Sequence, residues 1–128
     1  MSSDAPDLDI LASIESGQAP RRILEFAARG FATRRVGRTP GRPNLLATCG
    51  AAAPEKTILF ESHLDTVGVA GFQGDPFVLR EENGRLYGRG ACDTKGPLAA
   101  FMAACDAEVL GALAKSGVQI AWLGATGE

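Results

Sequence analysis

Several function classes need residues that this chain has little of. Basic residues do not outnumber acidic ones: 13 Lys and Arg stand against 15 Asp and Glu, a formal net charge of −2. That balance supplies no positive field for wrapping nucleic acid and no Lys/Arg block for an anionic membrane surface. No apolar run approaches the ~18 residues of a membrane span. The opening Met1-Ser2-Ser3-Asp4-Ala5-Pro6-Asp7 is acidic, without a basic n-region or a long apolar h-region, so no signal peptide is read there and a cytoplasmic location is expected. Cysteine is sparse, at Cys49, Cys92 and Cys105. An odd number without Cys-x-x-Cys spacing argues against a disulfide framework or a cysteine zinc site, and for buried or idle thiols. What is plentiful is glycine, 16 of 128 residues, against a usual ~7%. Only glycine takes positive φ freely or lets a backbone approach a ligand closely, so tight loops are expected. With 45% hydrophobic residues the chain is globular, and its length allows one domain at most.

Hydrophobic spacing sets out the elements. Residues 7–29 read as helix, in one or two pieces, with Leu8, Leu11 and Ile14 before the break at Gly17 to Pro20 and Ile23, Leu24, Phe26 and Ala27 after it. Gly30 stops the helix. Residues 34–43 read as an Arg-, Gly- and Pro-rich loop, whose Arg34, Arg35, Arg38 and Arg42 suit a solvated face better than a phosphate patch in an acidic chain. Residues 44–49 form a short strand candidate, and residues 56–62 a stronger one whose Ile58-Leu59-Phe60 run suits a strand covered on both faces. Phe77 to Arg80 and Arg85 to Tyr87 flank Asn83-Gly84, the best short-range hairpin signal. A helix then opens at Pro97, with Leu98, Phe101, Met102, Cys105 and Val109 on one stripe and Gly111 and Gly117 bracketing its exit. A strand over 118–123 ends in Gly124-Ala125-Thr126-Gly127-Glu128. Helix, strands, hairpin, helix and strand together predict an α/β fold, with a helix packed on a mixed sheet. In such sheets ligands sit beyond the carboxyl ends of strands, where His63, Asp65 and Glu128 fall; Asp93 lies between a strand segment and a helix start.

The familiar phosphate loops are absent. Gly88-x-Gly90-x-x-Asp93 lacks the third glycine of a dinucleotide fingerprint, and Lys95-Gly96 reverses the Gly-Lys order of a phosphate loop. Nothing in the spacing pairs Cys92 with His63 as a nucleophile. The single histidine precedes Asp65 by two residues at the end of a strand. On continued strand geometry both share a face, so the Asp65 carboxylate could take the second imidazole N–H, as carboxylates do for metal-bound histidine. Taken alone that pair is a weak signal.

Three segments in order carry more. Glu61-Ser-His63-Leu-Asp65-Thr-Val67, then Gly84-Arg-Leu-Tyr-Gly-Arg-Gly-Ala-Cys-Asp93-Thr-Lys-Gly96, then Gly127-Glu128 after a strand closely resemble the zinc-dependent amidohydrolase family of acetylornithine deacetylase, succinyl-diaminopimelate desuccinylase, aminoacylase and carboxypeptidase G. The match covers roughly residues 44–128 and looks most like the acetylornithine deacetylase-like and desuccinylase-like branch. The resemblance implies the N-terminal part of a mixed-sheet α/β/α zinc-exopeptidase-like catalytic domain. It implies that His63 is a metal ligand, that Asp65 orients it and counts as catalytic, and that Asp93 bridges two zinc ions, with cobalt a possible substitute. It also implies a cis peptide between Asp93 and Thr94, and Glu128 as the general base, first of two adjacent glutamates.

The residue types agree with that chemistry. Zinc takes N and O ligands near 2.0–2.2 Å and, in catalytic sites, keeps one position open for water. Two ions about 3.5–4 Å apart need a bridging carboxylate. Water on zinc falls toward pKa ~7, and a nearby Glu can take its proton and pass it to a leaving amine. The implied reaction is hydrolysis of the amide bond of N-acyl amino acids or small peptides, in a homodimer. Family members are about three times this length, so residues 1–128 are expected to be the N-terminal portion of the catalytic domain, without the lid domain, the second glutamate and the later ligands. The alternative expectation is a catalytically inactive α/β fragment or interaction module.

Overall fold

The computed structural model describes residues 25–38 and 43–126. Of the helix expected over 7–29, residues 25–28 are helical, Arg29 already lies in the turn, and residues 7–24 lie outside the described residues. Gly30, at φ 85°, ends it. Strand β1 follows at Ala32–Val36, β2 at Asn44–Gly50 and β3 at Lys56–His63. The short strands β4 (Arg80–Glu82) and β5 (Arg85–Tyr87) form a separate hairpin. Helices α1 (Gly96–Ala104) and α2 (Ala107–Lys115) precede the last strand, β6 (Val118–Ala125).

The main sheet runs β1-β2-β6-β3. Strands β1 and β6 flank β2 antiparallel, whereas β3 lies parallel to β6, so the mixed α/β sheet is as expected. Register places Leu45 opposite Gly124, Ala47 opposite Trp122 and Cys49 opposite Ile120. Side chains alternate along each strand, so these residues share one face. On that face they meet Phe26, Phe31, Leu98, Met102 and Leu110 in a single core. Trp122 is its centre: the indole stacks on Phe26 at 4.7 Å, and its Nε1–H donates to Ser62 Oγ at 2.9 Å inside the protein. Burial pushes the Cys105 thiol up from its ordinary range, with Cys49 adding to the effect, in keeping with an inert core thiol. Trp122→Phe strands the buried Ser62 hydroxyl and should cost about 1–3 kcal/mol. Urea unfolding reads this as a lower midpoint at unchanged slope, and adding Ser62→Ala should recover part of the loss.

Four sequence expectations need correction. Residues 34–36 belong to a strand, not a loop: Arg34 and Arg35 pair with Leu46 and Leu45, and stand exposed on an edge strand, where charge discourages further pairing. Strand β3 is the opposite edge of the described sheet, and its Ile58 and Leu59 are 46% and 58% exposed rather than covered on both faces. Phe77–Leu79 are not strand, because Asp75 Oδ1 accepts from the Phe77 N–H at 2.9 Å and holds a turn. The hairpin turn itself is as read, with Asn83 at φ 52° and Gly84 at φ 71°, the paired positive values of a two-residue turn. Finally, the helix from Pro97 does not run through Val109. Asp106 takes an extended conformation, its side chain accepts from the Val109 N–H at 2.9 Å, and a second helix starts there. Val109 is therefore exposed, Gly111 lies within α2, and Gly117 alone marks the exit.

Candidate metal centre

The parallel pairing of β3 with β6 decides what meets at the sheet edge. His63, the last residue of β3, lies in register with Ala125, the last of β6, and the Leu64 N–H donates to the Ala125 carbonyl. The carboxyl ends of both strands thus open on the same rim, where α/β sheets place their ligands. Beneath them Gly124 fits closely: a Cβ there would stand 2.4 Å from the Trp122 ring and 2.8 Å from Leu64, so only glycine lets Leu64 pass over the indole.

Asp93 reaches the rim from an irregular turn, Ala91–Lys95, in which Asp93 and Thr94 leave helical geometry. The Asp93–Thr94 peptide is cis, as the family resemblance implies. Gly90, at φ 77°, starts this turn, and the Lys95 N–H closes it on the Gly90 carbonyl at 2.9 Å. The Thr94 hydroxyl donates to the His63 carbonyl at 3.3 Å, tying the turn to the end of β3.

The result is a close pair. His63 Nε2 lies 2.8 Å from Asp93 Oδ1, while His63 Nδ1 lies 2.6 Å from the Asp65 carbonyl oxygen. A carbonyl only accepts, so Nδ1 carries a proton and donates it there. Nε2 then faces a carboxylate oxygen, either as an N–H donor in the protonated ring or, in the neutral ring, as a lone pair. At this distance the neutral ring and the carboxylate meet favourably only when a cation stands in place of the proton. The imidazole is 23% exposed and the Asp93 side chain 73%, so the pair is held from below and open above.

The resemblance implies zinc, and the donor set can be tested against it. One neutral imidazole nitrogen with its other nitrogen already committed, and one carboxylate oxygen, are the ligand types that zinc takes. The two fit as part of a centre. Among the described residues no group of three or more His, Cys, Asp or Glu converges, so they supply two donors and not a full set.

Sequence reasoning placed His63, Asp65 and Asp93 in the site, and the structure brings all three together. It differs on how Asp65 works. The main-chain carbonyl, not the carboxylate, holds the imidazole; Asp65 Oδ1 stays 3.8 Å from Nδ1. A two-residue step bends the chain at the strand end, so the extended geometry that would align the side chains does not continue. Glu128 lies outside the described residues. Two residues went unassigned: Thr94, inside a quoted motif but without a stated role, and Asn44, whose Oδ1 accepts from Thr126 at the end of β6. No local signal marks Asn44, because its partner is 82 residues away. Since the main chain holds the tautomer, Asp65→Asn should keep bound metal and lower kcat by no more than about 10–100-fold, the range for outer partners of a ligand. Metal analysis beside steady-state kinetics checks both halves.

Comparison with known proteins agrees with this geometry. The model of peptidase family M20/M25/M40 matches residues 59–126. A succinyl-diaminopimelate desuccinylase of Beijerinckia indica is 43% identical over 91 residues, covering 64% of this chain and 23% of the relative. The human Beta-Ala-His dipeptidase is 42% identical over 71 residues, covering 53% of this chain and 14% of the relative. Among solved structures, human carnosine dipeptidase 1 superposes with a TM-score of 0.65 at 29% identity, over 92% of this chain and 30% of that one. An M20 family metallo-carboxypeptidase from Sulfolobus solfataricus shares the fold, with a TM-score of 0.71 at 22% identity over 96% of this chain and 31% of that one. The chain thus spans a quarter or less of the length of these two curated relatives. Since the family match runs through His63, Asp93 and the end of β6, and covers more than half of the chain, the chain belongs to peptidase family M20/M25/M40.

Proposed function

We propose that this chain is the N-terminal portion of the catalytic domain of a metal-dependent amide hydrolase acting on N-acyl amino acids or small peptides, in the cytoplasm. The observation that carries the reading is the His63–Asp93 pair, with Nδ1 held by the Asp65 carbonyl and Nε2 turned to the carboxylate. His63 and Asp93 would hold zinc, with cobalt a possible substitute. Zinc there would supply a Lewis acid that polarises the scissile carbonyl and acidifies water. The chain's own residues do the rest. The Asp65 carbonyl keeps Nδ1 protonated and the ring oriented. Thr94 holds the His63 backbone against the Asp93 turn. Glu128 takes a proton from the attacking water and returns it to the amide nitrogen as the C–N bond breaks, leaving a carboxylic acid and an amine. The relatives' names, a desuccinylase and a dipeptidase, support this substrate class.

The two-donor count supports a second reading for the 128 residues by themselves, that of a catalytically inactive module. Two ligands are too few to close a tetrahedral site. Calorimetric zinc titration of the isolated chain should give weak binding of at most one ion, and an amine-release assay on N-acetyl and N-succinyl amino acids no turnover above a metal-only blank. The full-length protein should bind zinc tightly and release amine. Absence of both from the full-length protein would overturn the hydrolase reading.

A further inference from the structure

His63 and Asp93 stand 30 residues apart, and three contacts zip the segment that follows His63 to the turn that carries Asp93. The first is the Thr94 hydroxyl on the His63 carbonyl. The second is a close approach: a Cβ on Gly90 would stand 2.8 Å from Thr66 Cγ2, so the threonine lies against the start of the turn. The third is made by Arg89, one residue ahead of Gly90. Its N–H donates to the Pro76 carbonyl at 3.0 Å, and its guanidinium lies over the Phe72 ring, 5.0 Å from the centroid. Arg89 Nε is buried without a hydrogen-bond partner among the described residues, which leaves the ring face as the contact that orients the guanidinium. The loop it holds is itself fixed, because the Phe72 N–H donates to the Val69 carbonyl at 3.1 Å and the Phe77 N–H to Asp75 Oδ1 at 2.9 Å.

From Arg89 the path to Asp93 is short. The Ala91 N–H donates to the Gly88 carbonyl at 3.1 Å and the Lys95 N–H to the Gly90 carbonyl at 2.9 Å, so residues 88–95 form one closed turn with Asp93 inside it. The Asp93 side chain is 73% exposed and receives little packing, so its direction comes from its backbone.

We infer that Arg89 is a positioning residue for the metal centre: by clasping residues 72–76 it fixes the turn over 88–95, and so the direction of the Asp93 carboxylate. This rests on the reading of His63 and Asp93 as metal ligands. A cation–π contact at a partly covered site contributes little to stability, so its loss should show in the aim of the ligand more than in the fold.

The test uses the full-length protein and reads zinc affinity by competition with a chelator. Arg89→Ala should weaken zinc binding by about tenfold or more, the range for outer partners of a ligand. Deuterium uptake at the Lys95 amide should quicken by a similar factor, since its bond to Gly90 closes the turn. Phe72→Leu removes the ring and keeps the arginine, and should lose as much; it also serves where Arg89→Ala folds poorly. Phe72→Tyr keeps the ring face and should match the wild type. Because the two residues act as one contact, Arg89→Ala combined with Phe72→Leu should lose no more than either alone. Leu110→Ala, a truncation in the core, should lower the urea midpoint yet keep zinc affinity. An equal loss of zinc affinity in Leu110→Ala would make Arg89 a general structural residue and overturn the inference. Wild-type zinc affinity in Arg89→Ala would overturn it as well. Wild-type zinc content in His63→Ala would instead remove the metal reading, and the positioning role with it, while uptake at Lys95 still judges the clasp.

Discussion

His63→Ala in the full-length protein is expected to lose bound zinc and, with it, amide hydrolysis. His63 is the single histidine of the chain, and with the Asp65 carbonyl holding Nδ1–H at 2.6 Å, Nε2 is the ring nitrogen left to meet a metal. Alanine removes that donor and leaves Asp93 Oδ1 facing an empty space on a side chain already 73% exposed. A lone, water-facing carboxylate holds zinc poorly, because nothing offsets its hydration or fixes its direction. The loss should exceed the ~10–100-fold that removal of an outer partner of a ligand costs. Elemental analysis and amine release read the outcome together. Unchanged zinc with intact activity would show that the centre lies elsewhere. The fold itself should survive, since His63 ends a strand and the core is built on Trp122, Phe26 and their neighbours.

Glu128→Gln is expected to do the opposite: to keep zinc and substrate binding, and to lower kcat by roughly 10²–10⁴-fold, the contribution of a positioned general base. Glutamine matches glutamate in size and still accepts hydrogen bonds, but it cannot hold a transferred proton at neutral pH. The change should therefore show in kcat with KM little altered, a loss confined to the transition state. A rise in KM with kcat unchanged would assign Glu128 to substrate binding. Together the two variants separate holding a metal from moving a proton.

The ends of the elements that frame this centre were legible along the chain, whereas the roles of His63, Asp65 and Asp93 came only from the resemblance of their motifs to a family. His63, Asp65 and Asp93 sit in short motifs at the ends of elements, and hydrophobic periodicity locates those ends. The strand over 56–62 and the helix start near Pro97 bracket these residues, and the parallel pairing of β3 with β6 is what brings them to one rim. The Asn83-Gly84 turn was equally plain, because few dipeptides accept two positive φ values. Signals that depend on distant partners were not legible. Strand β1 draws its pairing from β2, and its arginines looked like a loop because an exposed edge strand tolerates charge. The exposure of Ile58 and Leu59 follows from sheet order, which no local pattern encodes. The break at Asp106 was visible in principle, as an acidic cap followed by Ala107-Glu108, but the apolar stripe running on to Val109 masked it. The role of the Asp65 carbonyl, and that of Asn44, depend on backbone direction rather than residue type.

The position of β6 in the sheet also bears on the order of assembly. It is the last of the described strands in sequence and sits between β2 and β3, so the β1-β2 ladder and β3 have no partner in common until β6 arrives. Its parallel pairing joins Lys56 to Val118 and His63 to Ala125 across sixty-two residues of chain, a closure that is slow compared with hairpin formation. On a growing polypeptide, His63 and Asp93 therefore emerge well before the strand that completes their support. The rim takes shape only once β6 has inserted, and until then β3 carries its apolar Ile58-Leu59-Phe60 run without a partner among the described strands. That interval is when the nascent chain is most open to mispairing with another strand.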